Sequence, residues 1–206
     1  MHNSSLRTTI TDNLKLFKPQ RIASDSTLTR AAVALTVSAH SDHAGACIYL
    51  TLRSDKLRKH AGQFALPGGK LDDDETSQQA ALRELSEELG ITLPESCVLG
   101  LLDDFQTRSG FSITPVVVWN DSNDPLQPNP DEVARCYEIP LDELQADDLI
   151  DIDSSASNPI FSINPKSVGT SVYSPTAAII FQFAKVALAG ELTRVNHYEQ
   201  PAFAWR

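Results

Sequence analysis

The run from Gly69 to Ile91, GKLDDDETSQQAALRELSEELGI, constrains the fold more than any other stretch, because it admits one regular element and marks where that element ends. Gly68 and Gly69 follow Pro67 and predict a flexible turn, and Asp72 to Asp74 keep the chain polar beyond it. Ser77 to Leu89 contains no glycine or proline. Ala80, Ala81, Leu82, Leu85 and Leu89 recur there at the interval of an amphipathic helix, which Gly90 closes. Glu84, Glu87 and Glu88 stand at i, i+3 and i+4, so they project from one face, while Leu82, Leu85 and Leu89 point toward a core. Like charges at that spacing weaken an isolated helix by roughly 0.2 to 0.5 kcal/mol per pair. A bound cation reverses the sign of that effect. Mg2+ suits such a face, being a hard ion usually held by few carboxylates together with substrate phosphates. A glutamate-rich helix face is most often only solvated surface, so its meaning depends on the residues around it.

Those residues complete a pattern: Gly, five residues, Glu, seven residues, then Arg-Glu-aliphatic-x-Glu-Glu-x-Gly-aliphatic. It is met without a mismatch at Gly69, Glu75, Arg83, Glu84, Leu85, Glu87, Glu88, Gly90 and Ile91. The run therefore resembles the Nudix box of hydrolases that cleave a nucleoside diphosphate linked to another moiety. The resemblance implies an α+β protein, an α/β/α sandwich with a mixed central sheet against which the box forms loop, helix and loop. One domain over residues 1–206 is expected, with an N-terminal extension at 1–30, the box at 69–91, and a C-terminal helix and tail at 171–206. Glu84, Glu87 and Glu88 are the expected ligands of Mg2+ or Mn2+. The Gly69 carbonyl is a backbone ligand by family resemblance, and Glu75 supports the loop or a further ion. Arg83 either orients a glutamate through a charge-assisted pair or contacts phosphate. The general base is Glu87, Glu88 or, beyond Pro130, Glu132.

Upstream of the box, Arg53, Arg58 and Lys59 form a short basic segment, and guanidinium groups match phosphate oxygens in two-point geometry. Each taken alone is equally well a solvated loop cation. Together with Leu50, Thr51, Ser54, Gly62 and Pro67 to Gly69, Arg53 and Arg58 resemble the extension of coenzyme A pyrophosphatases, a Nudix subfamily. Tyr49 and Leu66 depart from it conservatively. The resemblance runs over about residues 30 to 145 and makes Arg53, Arg58, Lys59, Gly62 and Gln63 the expected substrate contacts. The aromatic-Gly-Thr-Ala entry common in the subfamily's last helix is replaced by Tyr173-Ser174-Pro175-Thr176-Ala177. The reaction implied is attack of water on the coenzyme A diphosphate, giving 4'-phosphopantetheine and 3',5'-ADP. A Nudix hydrolase of ADP-ribose, NADH or a nucleoside triphosphate is the first alternative, and a non-catalytic ligand sensor the second.

A formal net charge of -10 argues against a nucleic-acid or anionic-membrane surface, so a small-molecule diphosphate is the expected partner. Whether the chain is a monomer or a homodimer stays open. The apolar stretches 31–39 and 177–188 are too short or interrupted to cross a bilayer, and the first ten residues lack an apolar signal core. A soluble cytoplasmic protein is expected. Cys47, Cys97 and Cys136 have no Cys-x-x-Cys spacing and read as buried reduced thiols. His40, His43 and His197 read as solvated, and His60 as structural in preference to a phosphate contact.

Elsewhere the pattern predicts a helix over 6–17, a hairpin of strands 31–39 and 46–52, and a second pair, 98–105 with 112–119, whose Pro115 points to an edge or bulge. A loop at 120–130, a strand at 132–139, a short helix opened by Pro140 and weakly patterned chain over 146–170 follow. A helix from Pro175 to Ala189 comes last, halted by Gly190. The tail from Glu191 has no assignment, and its aromatics Tyr198, Phe203 and Trp205 read as packing.

Overall fold

A computed structural model describes residues 2–23, 26–42, 44–122, 124–153 and 160–201. Strand β1 (Thr29–Ala39) is the axis of the main sheet, running parallel to β7 (Phe111–Trp119) along its length. Its far end pairs antiparallel with β2 (Ala46–Arg53), as the hairpin pattern predicts. The near end pairs instead with β4 (Gly68–Lys70), and β2 diverges to meet β3 (Phe64–Ala65) and β8 (Val133–Pro140). Gly68 and Gly69, expected as a flexible turn, are therefore strand residues held by the β1 ladder. On the outer edge of β7 lie β5 (Val98–Leu101) and β6 (Phe105–Gln106), and the sheet is mixed.

Alternation along the strands sorts the core into two layers. Ala32, Ala34, Cys47, Tyr49, Val116 and Val118 face helix α2 (Ser77–Leu89). Leu35, Val37, Ile48, Leu50, Val117 and Trp119 face the opposite layer. That layer holds α1 (Ser4–Leu16) and α3 (Thr176–Phe183), which continues as a π-helical segment over Ala184–Leu188 before Gly190. The α/β/α sandwich expected of the sequence is the observed architecture. A smaller antiparallel sheet of β9 (Ile150–Asp153), β10 (Ile160–Ile163) and β11 (Val172–Tyr173) adds Phe161, Ile163 and Val172 to the same apolar cluster.

Pro115 is not at an edge: it lies in β7 between β1 and the β5–β6 edge, where that partner strand is broken at 102–104. Leu102 N–H donates to the Pro115 carbonyl at 3.1 Å. The Leu102 carbonyl, which proline has no N–H to serve, accepts from the Arg21 guanidinium at 2.9 Å. Pro140 does not open a helix either. It ends β8 opposite Cys47, and the short helix that comes next is a 3₁₀ turn over Glu143–Gln145. His40 is not solvated, since its ring packs beside Glu138 at 3.4 Å and accepts from the Asp42 N–H. His197 is exposed, whereas His43, Phe203 and Trp205 lie outside the described residues. Tyr198 packs as expected, stacked on Phe161 with ring centroids 4.1 Å apart. Of the three free thiols Cys47 is buried, and Cys97 and Cys136 are partly so.

Candidate active site

Helix α2 begins with a reciprocal cap: Thr76 Oγ1 accepts from the Gln79 N–H, and Gln79 Oε1 accepts from the Thr76 N–H. It ends at Gly90, whose left-handed backbone (φ 72°) favours glycine. The last carbonyls of a helix lack partners within it. Here the Glu88 carbonyl accepts from the Asn129 N–H and the Leu89 carbonyl from the Gln127 N–H, both at 2.9 Å. That docking brings the start of β8 to the helix, so Glu132 arrives beside residues more than forty positions earlier in the chain. The Ser54 N–H secures it from the other side by donating to the Glu132 carbonyl.

The result is a cluster in which carboxylate oxygens of Glu84, Glu88 and Glu132 all lie within 4.8 Å of one another. Glu88 follows Leu85 by three positions and Ala81 by seven, on the apolar stripe of α2, and its side chain is only 3% exposed. Burial pushes its carboxyl up to about 8, against the opposing pull of Arg53 and the Gly68 N–H. Glu84 is raised in the same direction, again chiefly by burial. Glu87 is not part of the cluster. Its side chain is 51% exposed and pairs with Arg83 at 3.2 Å.

Arg83 spends all five of its N–H donors inside the box. Nε and Nη2 donate to the two oxygens of Glu75, each at 3.0 Å, Nη1 donates to Glu84 and Glu87, and Nη2 also donates to the Lys70 carbonyl. The pairing holds Glu75 below the usual carboxylate range. Of the two roles open for Arg83, this arrangement is the orienting one. The Gly69 backbone lies against the Glu84 carboxylate, which a Cβ there would displace, while a Cβ at Gly68 would run into the Ala32 carbonyl.

On the other side of β4 opens a cleft of about 710 Å³. Arg53, Lys59, Gly62, Gln63 and Lys70 line it, but Arg58 does not and is exposed. Among the described residues no aspartate or glutamate lines it, although acidic side chains outnumber lysine and arginine in the chain by 27 to 17. Arg53 joins the two halves. Its Nη1 lies 3.9 Å from Glu88, and its buried Nε has no hydrogen-bond partner. His60 also lines the cleft, its Nδ1 3.2 Å from Gln63 Oε1. The opposite wall is supplied by Thr107, Phe111, Tyr173, Thr176, Ile179 and Gln200, from three separate stretches, and of these Ile179 and Gln200 were singled out by no sequence motif.

The carboxylate cluster fits a divalent cation. Three acidic groups crowd together with burial disfavouring their charge, the ligand atoms are hard oxygens, and the Gly69 backbone runs against Glu84. Glu84 and Glu88 would hold the ion, with Glu132 adjacent and Glu87 within one helical turn.

A family model described as "NUDIX domain" matches residues 27–157, more than half of the chain. Proteins described as "Uncharacterized Nudix hydrolase NudL" from Yersinia pestis (strain Pestoides F) and Yersinia pseudotuberculosis serotype O:1b (strain IP 31758) are each 40% identical over 136 residues. Those residues are 63% of this chain and 67% of each relative. Among solved structures, a MutT/nudix family protein from Enterococcus faecalis aligns with a TM-score of 0.56 at 16% identity, over 81% of this chain and 65% of that one, a likeness of fold alone.

Proposed function

The chain belongs to the NUDIX domain family, whose hydrolases act on phosphorus-containing anhydrides, and from that membership we propose that it cleaves the diphosphate of coenzyme A or an acyl-coenzyme A to 4'-phosphopantetheine and 3',5'-ADP. One observation carries the reading. A carboxylate cluster fit for Mg2+ or Mn2+ abuts a cleft whose ionic side chains among the described residues, apart from the titratable His60, are Arg53, Lys59 and Lys70, in a chain of net charge -10. Such a field selects a polyanion, and Phe64, Phe111, Ile113 and Ile179 offer apolar surface to its remainder.

A divalent ion, when bound, neutralises phosphate oxygens and lowers the pKa of coordinated water toward ~7. The chain's own groups do the rest. Glu84 and Glu88 would hold the ion, and Arg83 keeps Glu84 and Glu75 in place. Glu132, fixed between Ser54 and Asn129, stands where a carboxylate can take a proton from an attacking water. Arg53 lines the cleft beside the carboxylates, where its guanidinium can meet a phosphate oxygen. Lys59, Gly62 and Gln63 line the route from there into the cleft. Residues 1–206 work as one domain in this reading, since Tyr173, Thr176, Ile179 and Gln200 of the cleft's second wall lie beyond the matched family segment.

The test is hydrolysis of a panel comprising coenzyme A, acetyl-coenzyme A, NADH, ADP-ribose and nucleoside triphosphates, with Mg2+ or Mn2+ and identification of products. Coenzyme A is expected to have the highest kcat/KM and to give the two named products. Preference for ADP-ribose or NADH would replace the substrate while keeping the chemistry.

A further inference from the structure

Part of the cleft wall is built by chain outside the matched family segment, and the last described residues tie that part to the rest. β6 is an outer strand, so its backbone groups on the free side need partners. The Gln200 side chain provides them: Nε2 donates to the Gln106 carbonyl at 3.2 Å, and Oε1 accepts from the Arg108 N–H at 3.4 Å. Gln200 is 9% exposed. Next to it, Arg108 donates twice to Glu199 Oε2, at 2.9 and 2.6 Å, and Glu199 bridges in parallel to Ile160 of the smaller sheet. The 107–111 turn is also closed internally, with Thr107 N–H donating to the Phe111 carbonyl and Phe111 N–H to Thr107 Oγ1. Residues 199–200 thus act as a strap that fixes the turn carrying Thr107, Ser109 and Phe111 against the wall formed by Tyr173 and Thr176.

We propose that this strap sets specificity for the nucleoside half of the substrate, with Gln200 as the positioning residue. Three rings, Phe64, Phe111 and Tyr173, line the cleft. Every base presents a π-face to such rings, whereas a flexible amide chain has none. Both ends of the Gln200 amide are already engaged with backbone, so the residue acts through the turn it holds. The inference rests on the functional reading above and deepens it.

The experiment is calorimetric titration of the full chain with 3',5'-ADP, AMP, 4'-phosphopantetheine and inorganic phosphate, none of which contains a diphosphate to cleave. Gln200→Ala should weaken 3',5'-ADP and AMP about tenfold, since two hydrogen bonds that hold the wall are lost, while the other two probes change less than about twofold. Glu199→Gln, in a partly exposed ion pair, should produce a smaller loss in the same order. The thermal midpoint and hydrogen exchange of α2 should match the wild type, and exchange should rise at 105–111. Equal change across all four probes, no change, or selective loss of 4'-phosphopantetheine overturns the inference. If the wild type binds AMP but neither half of coenzyme A, the proposed substrate falls, and the strap is judged on AMP. If it binds none of the probes, both fall.

Discussion

The two sides of β4 carry opposite fields. Toward α2 stand Glu75, Glu84, Glu87, Glu88 and Glu132, with Arg83 committed to three of them. Toward the cleft stand Arg53, Lys59 and Lys70 with no acidic side chain among the lining residues. The formal charge of -10 describes neither side. A narrow strand of Gly68, Gly69 and Lys70 lets an acidic face and a basic face lie one backbone apart, so under the proposed function the groups serving an ion and those serving the substrate are separable by mutation. If that division holds, changes on the acidic side fall on kcat and changes on the basic side fall on KM.

The sharpest break should come at Glu88. Glu88→Gln keeps the volume but removes a buried ligand charge. Loss of an outer partner of a metal ligand already costs about 10- to 100-fold, so kcat should fall by more than about 100-fold with little change in KM. Glu87→Gln is the internal comparison. It changes a half-exposed carboxylate outside the cluster of Glu84, Glu88 and Glu132, and its effect on kcat should be clearly smaller. Equal losses in the two variants would show that the helix face works as a unit and that the three clustered groups have no special status.

A pH test addresses the acidic side without turnover. In metal-free protein the Glu88 carboxyl titrates near 8 instead of its ordinary 4.5, because burial disfavours the charge. Between those values the unfolded chain binds fewer protons than the folded one, so unfolding free energy falls as pH rises through that window. The drop should be on the order of 2 to 4 kcal/mol. It should be visible as falling urea midpoints from pH 5 to pH 8.5 in EDTA. Added Mg2+ should flatten the curve, and so should Glu88→Gln. A flat curve for the wild type in EDTA would show that the carboxyl is not held in a low-dielectric site.

The contrast between the two sides also explains what could be read from the chain. Helix α2 was legible because its signals are local: an apolar interval from Ala80 to Leu89, and Gly90 at the end. Its cap at Thr76 and Gln79 was there to be seen as well, at the spacing of a reciprocal cap. Glu88 carried a further local sign, a glutamate on the stripe that Ala81 and Leu85 reserve for the core. Which glutamates meet was not local. Glu132 reaches the cluster because backbone N–H groups at Gln127 and Asn129 satisfy the end of α2, and no residue type advertises a backbone donor. β4 was hidden because Gly-Gly has turn-like composition while its pairing partner lies more than thirty residues away in β1. Pro115 misled for a related reason: its missing N–H is compensated by Arg21, far off in sequence. In the cleft wall at 171–200 only the stretch Tyr173 to Ala177 drew a signal, and Gln200 drew none, because an amide placed by tertiary packing has no spacing to recognise.

On the basic side the largest effect should be at Arg53, whose unpartnered Nε and position between Glu88 and the cleft make it the junction of the two fields. Arg53→Ala should raise KM for coenzyme A about tenfold, the loss of one charge-assisted contact of roughly 1.5 kcal/mol. Simple dinucleotides should lose less. Arg53→Lys should recover part of the affinity, since a point charge replaces the two-point fork. An equal loss for both substrates would remove the reason for naming coenzyme A.

The smallest effect separates two neighbouring cations that the sequence treats alike. Lys59 lines the cleft, whereas Arg58 is exposed and does not. An exposed charge near an anionic ligand contributes little at physiological ionic strength, where the screening length is about 8 Å. Lys59→Ala should therefore raise KM only about two- to threefold at low salt, and the difference should shrink by 0.3 M salt, where the screening length drops further. Arg58→Ala should change KM by less than about 1.5-fold at either salt, within the small effects expected of exposed charges. If Arg58→Ala proves the more damaging of the two, the basic side extends over the 55–61 loop beyond the cleft wall, and the boundary drawn at Lys59 is too tight.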